Sequence, residues 1–341
     1  MGAGHKNQLS YLFFILLAIL SFYAVFHDND IGMIAASIKK MKLSYLMLAA
    51  VTALVFTMME GVMIWYLLRV LQGKAEFLQC IRYSFVGFLY SGITPSATGG
   101  QPMQLYHMKR DGNSLSASTV VLMTVALIYK LVLVLMGMAM LAAGFSVLKE
   151  NLGRYLELFY LGMFLNTALV AVLLIVMIFP QSARSMLLAA EGLLVKIRIF
   201  KKSEYRVYQI EQFIQSYQNA VMFLIQNKKQ VAAVMAAVFV QRCLVFILPY
   251  IVYCGFGLHG ADAGTIFMIQ MSIYLAVDML PLPGAQGITE LMYRRAFRDV
   301  FTLQYVVPSM CVSRGISFYF LLIFSIAVCV IYHIHFRMRK M

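Results

Sequence analysis

The chain has 341 residues, of which 62% are hydrophobic and only 12% are charged, and its formal net charge is +14. Soluble domains are about a quarter charged, so this composition excludes an ordinary soluble enzyme. In a soluble protein the positive charge would suggest nucleic acid, but here membrane topology and attraction to anionic lipid explain it better. We therefore expect a membrane protein with no nucleic-acid partner.

Mostly apolar runs follow one another along the whole chain. Each is near or above the roughly 20 residues that a helix needs to cross about 30 Å of hydrocarbon. The runs are continuous rather than alternating, which excludes barrel strands, and in lipid each backbone polar group must be paired internally. The sequence thus predicts an all-α polytopic membrane protein. The runs are 11–26, 43–68, 115–144, 157–179, 231–256, 263–283 and 303–334.

The polar stretch 181–230 predicts a cytoplasmic helical insert, because it is rich in Lys and Arg, as cytoplasmic loops are. Within it, apolar residues from Ile210 to Ile225 recur at helical spacing. This stripe fits either a helical hairpin lying against the membrane or bundle, or a surface that docks a partner. With both termini also cytoplasmic, the chain makes about six crossings, provided that 75–110 and 263–298 each enter and leave on one face.

Two Pro/Gly segments interrupt the apolar surroundings, Thr94–Pro102 and Pro281–Gly287. Pro removes a backbone donor and ends a helix, while Gly permits strained backbone. A short helical stretch follows each segment, 103–109 after the first and 288–298 after the second. This pattern predicts two re-entrant helical hairpins, which are tolerated at membrane depth only where protein or a water-filled cavity surrounds them.

The two hairpins predict an inverted repeat within a single membrane domain, 1–341. Residues 43–144 and 231–334 each read as span, broken hairpin and span, and the topology assigns them opposite orientations. Broken helices at corresponding positions of inverted halves point to the binding site of a transporter. The alternative is that the two segments are unrelated surface loops.

Charged residues occur inside the predicted spans and sharpen this interpretation. Lys130, Arg242 and Arg314 lie in apolar runs, with Glu60 and Asp278 as candidate counter-charges. Each charge costs roughly 2.5–3.5 kcal/mol at the bilayer centre, so these residues must face the protein interior, pair, or meet water or a ligand. Purely structural pairing is one explanation. The other is a cationic cavity, because two carboxylates cannot neutralise three cations.

No motif predicts a cofactor, a metal site or a catalytic residue. The stretch 255–260 matches G-x-G-x-x-G, but it ends a span and no βαβ pattern surrounds it. His333 and His335 are two residues apart and point to different helix faces, so they do not predict a metal site. The chain contains no phosphate-binding loop of the G-x-x-x-x-G-K-[ST] type.

The two Pro/Gly segments resemble the signatures of a known family. Gly92–Pro102, with Tyr106 and Lys109–Gly112, resembles the first signature of the lysylphosphatidylglycerol synthase transmembrane family. Leu280–Gly287, with Glu290, resembles the second signature. The likeness covers nearly the whole chain. The chain departs from the family pattern in having Gln101 where an acidic residue is common, Lys130 where Arg is common, and Ala285 in place of the second Gly of the second signature.

The resemblance implies a lipid flippase of the bacterial inner membrane. In the best-known members, the multiple peptide resistance factors, this membrane part moves aminoacylated phosphatidylglycerol to the outer leaflet and so gives resistance to cationic antibiotics. A separate soluble domain makes that lipid, and we expect it to be absent because the last span ends near Ile334 and the sequence ends at Met341. One alternative is a phosphatidylglycerol lysyltransferase-type enzyme component acting with a separate catalytic chain. Another is a membrane subunit that docks an envelope-biosynthesis enzyme through 181–230.

These arguments define the candidate site residues and partners. The expected partners are a phospholipid substrate and the membrane, and an enzyme docking on 181–230 and a homo-oligomer are left open. The candidate proton-coupling or counter-charge residues are Glu60, Asp278 and Glu290. The candidate substrate-binding residues are Lys130, Arg242, Arg314, Thr98, Gly99, Gly100, Gln101, Gly284, Gln286 and Gly287.

Overall fold

The computed structural model describes residues 31–73, 75–94, 97–196 and 204–338, and all regular structure in these ranges is helical. The predicted span 11–26 lies outside the described residues. Within them, five helical segments are long and apolar enough to cross a membrane, and one apolar helix, Ala263–Val277, is shorter. The all-α multi-pass prediction is therefore confirmed. The five segments are Leu43–Gln72, Leu115–Ala143, Phe145–Ile178, Lys228–Gly255 and Thr302–His333.

In the described part of the first half, a short helix is followed by two long helices with two shorter ones between them. The helix α2 ends where Gly73 adopts a left-handed conformation, with φ of 71°, and its N–H bonds the carbonyl oxygen of Arg69 at 2.9 Å. The helix α3 ends before Thr94, which is extended as expected for a residue that precedes proline. The helices are α1 (Ile31–Lys39), α2 (Leu43–Gln72), α3 (Phe77–Ile93), α4 (Gly100–Arg110) and α5 (Leu115–Ala143).

The middle of the chain contains a long apolar helix followed by the predicted insert. The insert is two helices, as expected, and Tyr217 and Leu224 of the apolar stripe are buried in a core shared with Leu67 and Val120. The stripe therefore packs against the bundle, which favours the hairpin interpretation over a free docking face. The helices are α6 (Phe145–Leu152), α7 (Leu156–Ile178), α8 (Pro180–Lys196) and α9 (Glu204–Gln226).

The last part of the chain repeats the element order of the first half. A long helix is followed by a shorter one, a non-helical connection, a short helix and a final long helical segment. The final segment is interrupted by a π-helical turn, Gly315–Phe320. The helices are α10 (Lys228–Gly255), α11 (Ala263–Val277), α12 (Ile288–Ala296), α13 (Thr302–Arg314) and α14 (Leu321–Met338).

Packing between the two parts follows a regular pattern. The helix α2 packs along α10, and the N–H of Lys42 bonds the carbonyl oxygen of Gly255 at 3.0 Å. The helix α3 packs against α14, and α11 packs against α5. The helix before each interruption, α3 or α11, therefore contacts the last helix of the other half.

The positions of the helix ends differ from the sequence prediction at both interruptions. The first short helix begins at Gly100 rather than at 103, because Pro102 fits within a first helical turn, where its missing N–H costs nothing. The helix that precedes the second interruption ends at Val277, earlier than the end of the predicted apolar run at 283. We call the connection 94–99 the first break and the connection 278–287 the second break.

Candidate functional site

The second break adopts a backbone that few residues tolerate. Gly284 has a φ of 57°, Ala285 of 50° and Gly287 of 82°. Glycine adopts such angles freely, whereas in alanine they carry a steric cost. The surrounding structure must therefore hold Ala285 in this conformation. The N–H of Gly287 bonds Glu290 Oε2 at 2.7 Å, which caps α12. Within the break, Gln286 is half-buried.

Lys130 contacts the start of the second break. Its ammonium group forms an ion pair with Asp278, the residue that follows α11, and donates to Asn166 Oδ1 at 3.0 Å. Tyr129 donates to the other oxygen of Asp278 at 2.9 Å. Because the Lys130 and Asp278 side chains are only 11% and 12% exposed, this pair is almost fully removed from solvent. A residue of α5 therefore fixes the break that follows α11.

Arg314 contacts the other end of the same break. Its Nε donates to Glu290 Oε1 at 2.9 Å, and its NH2 group donates to the carbonyl oxygen of Gly284 at 2.9 Å. Phe318, one turn later, packs over Gly284 and lies beside Gly92 near the end of α3. The second break is thus held at its two ends by cations from two different helices.

Arg242 lies in a different environment, between aromatic rings. Its guanidinium carbon is 4.3 Å from the ring centre of Tyr129 and 4.7 Å from that of Phe56. It donates to the Tyr274 hydroxyl at 3.3 Å and to Gln241 Oε1 at 2.9 Å. Through Tyr129 and Tyr274 it is linked to Asp278, and hence to Lys130.

The first break is stabilised mainly by backbone and hydroxyl groups. Thr94 Oγ1 donates to the carbonyl oxygen of Tyr90 at 2.6 Å and accepts from the N–H of Gly99 at 2.8 Å. Gly100 lies so close to α3 that an added Cβ would be 2.8 Å from the carbonyl oxygen of Gly87. The glycine at 100 therefore sets the close approach of α4 to α3, while Thr98 is exposed.

Glu60 is bound to helix α4 by an amide side chain rather than by a cation. Gln104 Nε2 donates to Glu60 Oε1 at 2.6 Å and lies 3.2 Å from the carbonyl oxygen of Tyr83. The predicted site residue Gln101 is exposed on the same helix and does not take this position. Gln104 was not among the predicted site residues, because nothing in the sequence connects it with Glu60, which lies 44 residues earlier.

The family model that describes the lysylphosphatidylglycerol synthase TM region matches residues 8–325, nearly the whole chain. The chain belongs to this family. The resemblance carried by the two signatures is thereby confirmed, and the family associates the protein with membrane lipid. No curated protein matches the chain.

The second family signature contains the counter-charge that the charge count left out. Glu290 forms the ion pair with Arg314, whereas Glu60 and Asp278 do not. The expectation that two carboxylates face three cations is therefore wrong for the described residues, in which Lys130 and Arg314 each have a carboxylate partner. The structure brings Lys130 and Arg242 into one network and places Arg314 at the far end of the break.

A second buried polar cluster of this family member was not predicted from the sequence. Asp111, in the first signature, forms an ion pair with Arg82 and accepts from Tyr83 at 2.7 Å and from Tyr332 at 3.0 Å. The Arg82 guanidinium carbon lies 3.5 Å from the ring centre of Tyr332. The cluster joins α3 to the end of α14. Asp111 stood in the quoted signature, but nothing in the sequence connected it with Arg82 or Tyr332.

A groove of about 390 Å³, lined by both polar and apolar residues, lies where the insert meets the bundle. It is formed by the end of α2, the start of α5 and one face of α9, and among the described residues no charged side chain lines it. The groove is therefore chemically distinct from the cation-containing region at the second break. Its lining residues are Leu71, Gln72, Ser114, Ser116, Ala117, Ser216, Asn219, Ala220 and Phe223.

Proposed function

We propose that this protein is a lipid flippase of the bacterial cell membrane, which moves an anionic or zwitterionic phospholipid between the leaflets. Aminoacylated phosphatidylglycerol is the first lipid to test, because the family carries its name. The observation that supports the proposal most directly is the second break: Lys130 and Arg314, from different helices, contact its two ends. Non-helical backbone beside buried cations is the arrangement in which transporters hold charged substrates.

The two halves of the molecule form an inverted repeat in this proposal. Its support is the shared order of elements in 43–144 and 231–334 and the reciprocal packing of α3 with α14 and of α11 with α5. Lys130 and Arg314 follow their breaks at corresponding positions. Relative movement of two such halves would expose the region around the second break alternately to each leaflet.

The ion pair between Lys130 and Asp278 provides a physical route for coupling to protons. While Asp278 is ionised, it neutralises Lys130 and competes with any phosphate group. A proton on Asp278 removes that competition and leaves the ammonium group free for a charge-assisted bond to lipid. Glu290 has the same relation to Arg314 at the other end of the break. In this proposal a proton gradient drives transport.

The orientation of the chain also belongs to the proposal, with the insert and the end of α14 in the cytoplasm. Tyr332 of α14 bonds Asp111 in the connection between α4 and α5. Three residues further on, Ser114 lines the groove against α9 of the insert. These contacts support a common side for the insert and the C-terminal helix, and the Lys and Arg content of the insert favours the cytoplasm.

The test is a leaflet-accessibility assay in vesicles with the purified protein and fluorescent phospholipids of defined head group. Wild-type protein should expose inner-leaflet lipid to an external quencher faster than protein-free vesicles do, and more strongly under a proton gradient. Lipid extracts from cells that produce the protein should have the same composition as extracts from cells that lack it. A flippase changes the distribution of lipid between leaflets, whereas a lysyltransferase changes the lipid content. Protein-containing vesicles that exchange no lipid, with or without a gradient, would refute the flippase.

A further inference from the structure

The three intramembrane cations differ in what neutralises them. Lys130 is paired with Asp278 and Arg314 with Glu290. Arg242 is only 5% exposed, and among the described residues no carboxylate oxygen lies within 4.0 Å of its nitrogens. An unpaired buried cation is costly in a membrane protein and points to a function. Arg242 is therefore the cation of the three that forms no close ion pair with a carboxylate of the described residues.

The guanidinium group of Arg242 keeps unused donors at its edge. It offers five N–H groups in a planar fork, of which one bonds Tyr274 and another bonds Gln241. Its Nε is buried and has no hydrogen-bond partner in the described ranges of the chain. The rings of Tyr129 and Phe56 cover the group. An anion must consequently approach along the edge, where a planar fork binds phosphate oxygens well.

One nearby carboxylate, that of Glu60, attracts Arg242 without contacting it directly. Glu60 interacts electrostatically with Arg242 without forming an ion pair, and its Oε1 is bonded to Gln104. Tyr274 and Gln241 orient the guanidinium group but leave its charge intact. This arrangement fixes the orientation of the guanidinium group without neutralising its charge.

We infer that Arg242 is the specificity-determining residue for the phosphate group of the substrate. It binds the phosphodiester oxygens edge-on through the N–H groups that bond no described residue. Lys130 and Arg314 hold the second break for as long as Asp278 and Glu290 are ionised. This inference rests on the proposed function for the source of the phosphate, which is a lipid head group. A free phosphate monoester has the same recognition chemistry and is distinguished by the test.

The test measures equilibrium binding in a maltoside detergent, which carries no phosphate. Short-chain dihexanoyl phosphatidylglycerol, glycerol 1-phosphate and dihexanoylglycerol are titrated into wild-type protein and variants by calorimetry. Arg242→Gln should weaken binding of the phospholipid about 10- to 100-fold, the range for losing hydrogen bonds to a charged group. Arg69→Gln is the matched control, because Arg69 also stacks on a ring, that of Trp65, but is exposed. It should leave the affinity unchanged.

Further arms separate recognition from a structural role. Arg242→Lys keeps the charge but loses the planar fork, so it should bind the phospholipid several-fold more weakly than wild-type protein does. If Arg242→Gln does not fold, Arg242→Lys takes its place in the test. Binding of dihexanoylglycerol should not depend on Arg242, and an equal loss for that ligand would overturn the inference. Equal affinity of wild-type protein for glycerol 1-phosphate and phospholipid would overturn the assignment to lipid.

The outcomes also separate this inference from the proposed flippase. Wild-type protein that moves lipid, together with unchanged binding in both Arg242 variants, overturns the role of Arg242 and leaves the flippase standing. Binding that depends on Arg242, with no lipid movement in vesicles, supports the phosphate site and refutes the flippase. A larger loss of binding in Lys130→Gln or Arg314→Gln than in Arg242→Gln also overturns the inference.

Discussion

The ion pair between Lys130 and Asp278 should be one of the most sensitive interactions in the bundle. Replacing Lys130 by Gln removes the charge and leaves the Asp278 carboxylate almost desolvated, with the Tyr129 hydroxyl as its remaining donor. Unit charges about 4 Å apart attract by about 4 kcal/mol at an effective dielectric constant of 20. Removing one partner of a buried pair costs about 3–5 kcal/mol, and we expect a loss of unfolding free energy in that range.

A double-mutant cycle separates the pair from its neighbours. Asp278→Asn alone should also destabilise the protein, because it leaves the Lys130 ammonium group with Asn166 but no counter-charge. The combined variant, with Gln and Asn opposite each other, should recover much of the loss, since neither charge is then buried alone. Thermal or denaturant unfolding in detergent, followed through helical circular dichroism, provides the free energies.

An exposed ion pair in the same chain provides the matched control. Arg184 and Glu211 connect the two helices of the insert, and their side chains are 47% and 41% exposed. Arg184→Gln should give no measurable change, because solvent screens such pairs. If Lys130→Gln unfolds like wild-type protein, or if the combined variant is no more stable than the sum of the single losses predicts, the assigned pairing is wrong.

Further predictions concern the second break, the first hairpin and the topology. Ala285→Gly should raise the unfolding free energy by about 0.5–1 kcal/mol, because glycine relieves the positive φ of 50°; a lower melting temperature would contradict the strain. Gly100→Ala should cost about 1–3 kcal/mol in the same assay, as α4 is pushed away from α3. Tyr332→Phe removes one donor to Asp111 and should cost about 1.5–3 kcal/mol, while an unchanged value would dismiss that bond. A cysteine at the exposed position Lys228 should react with a membrane-impermeant thiol reagent only from the cytoplasmic side, and labelling from outside would reverse the topology.

The sequence was informative wherever a local rule determines the backbone. Continuous apolar runs must be helices in lipid, so the helices 43–72 and 115–143 followed from composition and length. The Pro and Gly residues located both interruptions, because their effect on the backbone needs no knowledge of neighbours. The helix ends were less accurate, since proline is tolerated in a first turn and α4 therefore includes Pro102.

Family membership was also available from the sequence, through the two signatures around Gly99 and Gly284. The apolar runs identified Lys130, Arg242 and Arg314 as residues that need an explanation, because a charge inside such a run is costly in a membrane. The inverted repeat, the substrate and the orientation remain predictions.

The partner of each charge was decided by the tertiary structure alone. Arg314 pairs with Glu290 and Lys130 pairs with Asp278. Arg242 lies among aromatic rings and forms no ion pair with a carboxylate in the part of the chain that the structure describes. Lys130 and Asp278 are far apart in the chain, and an ion pair depends on the separation and desolvation of side-chain atoms, which sequence spacing does not determine. The sequence by itself thus determined which segments are helical, where they break and which charges are buried with them. Only the packing of the helices decided which of those cations forms a close ion pair with a described carboxylate and which does not.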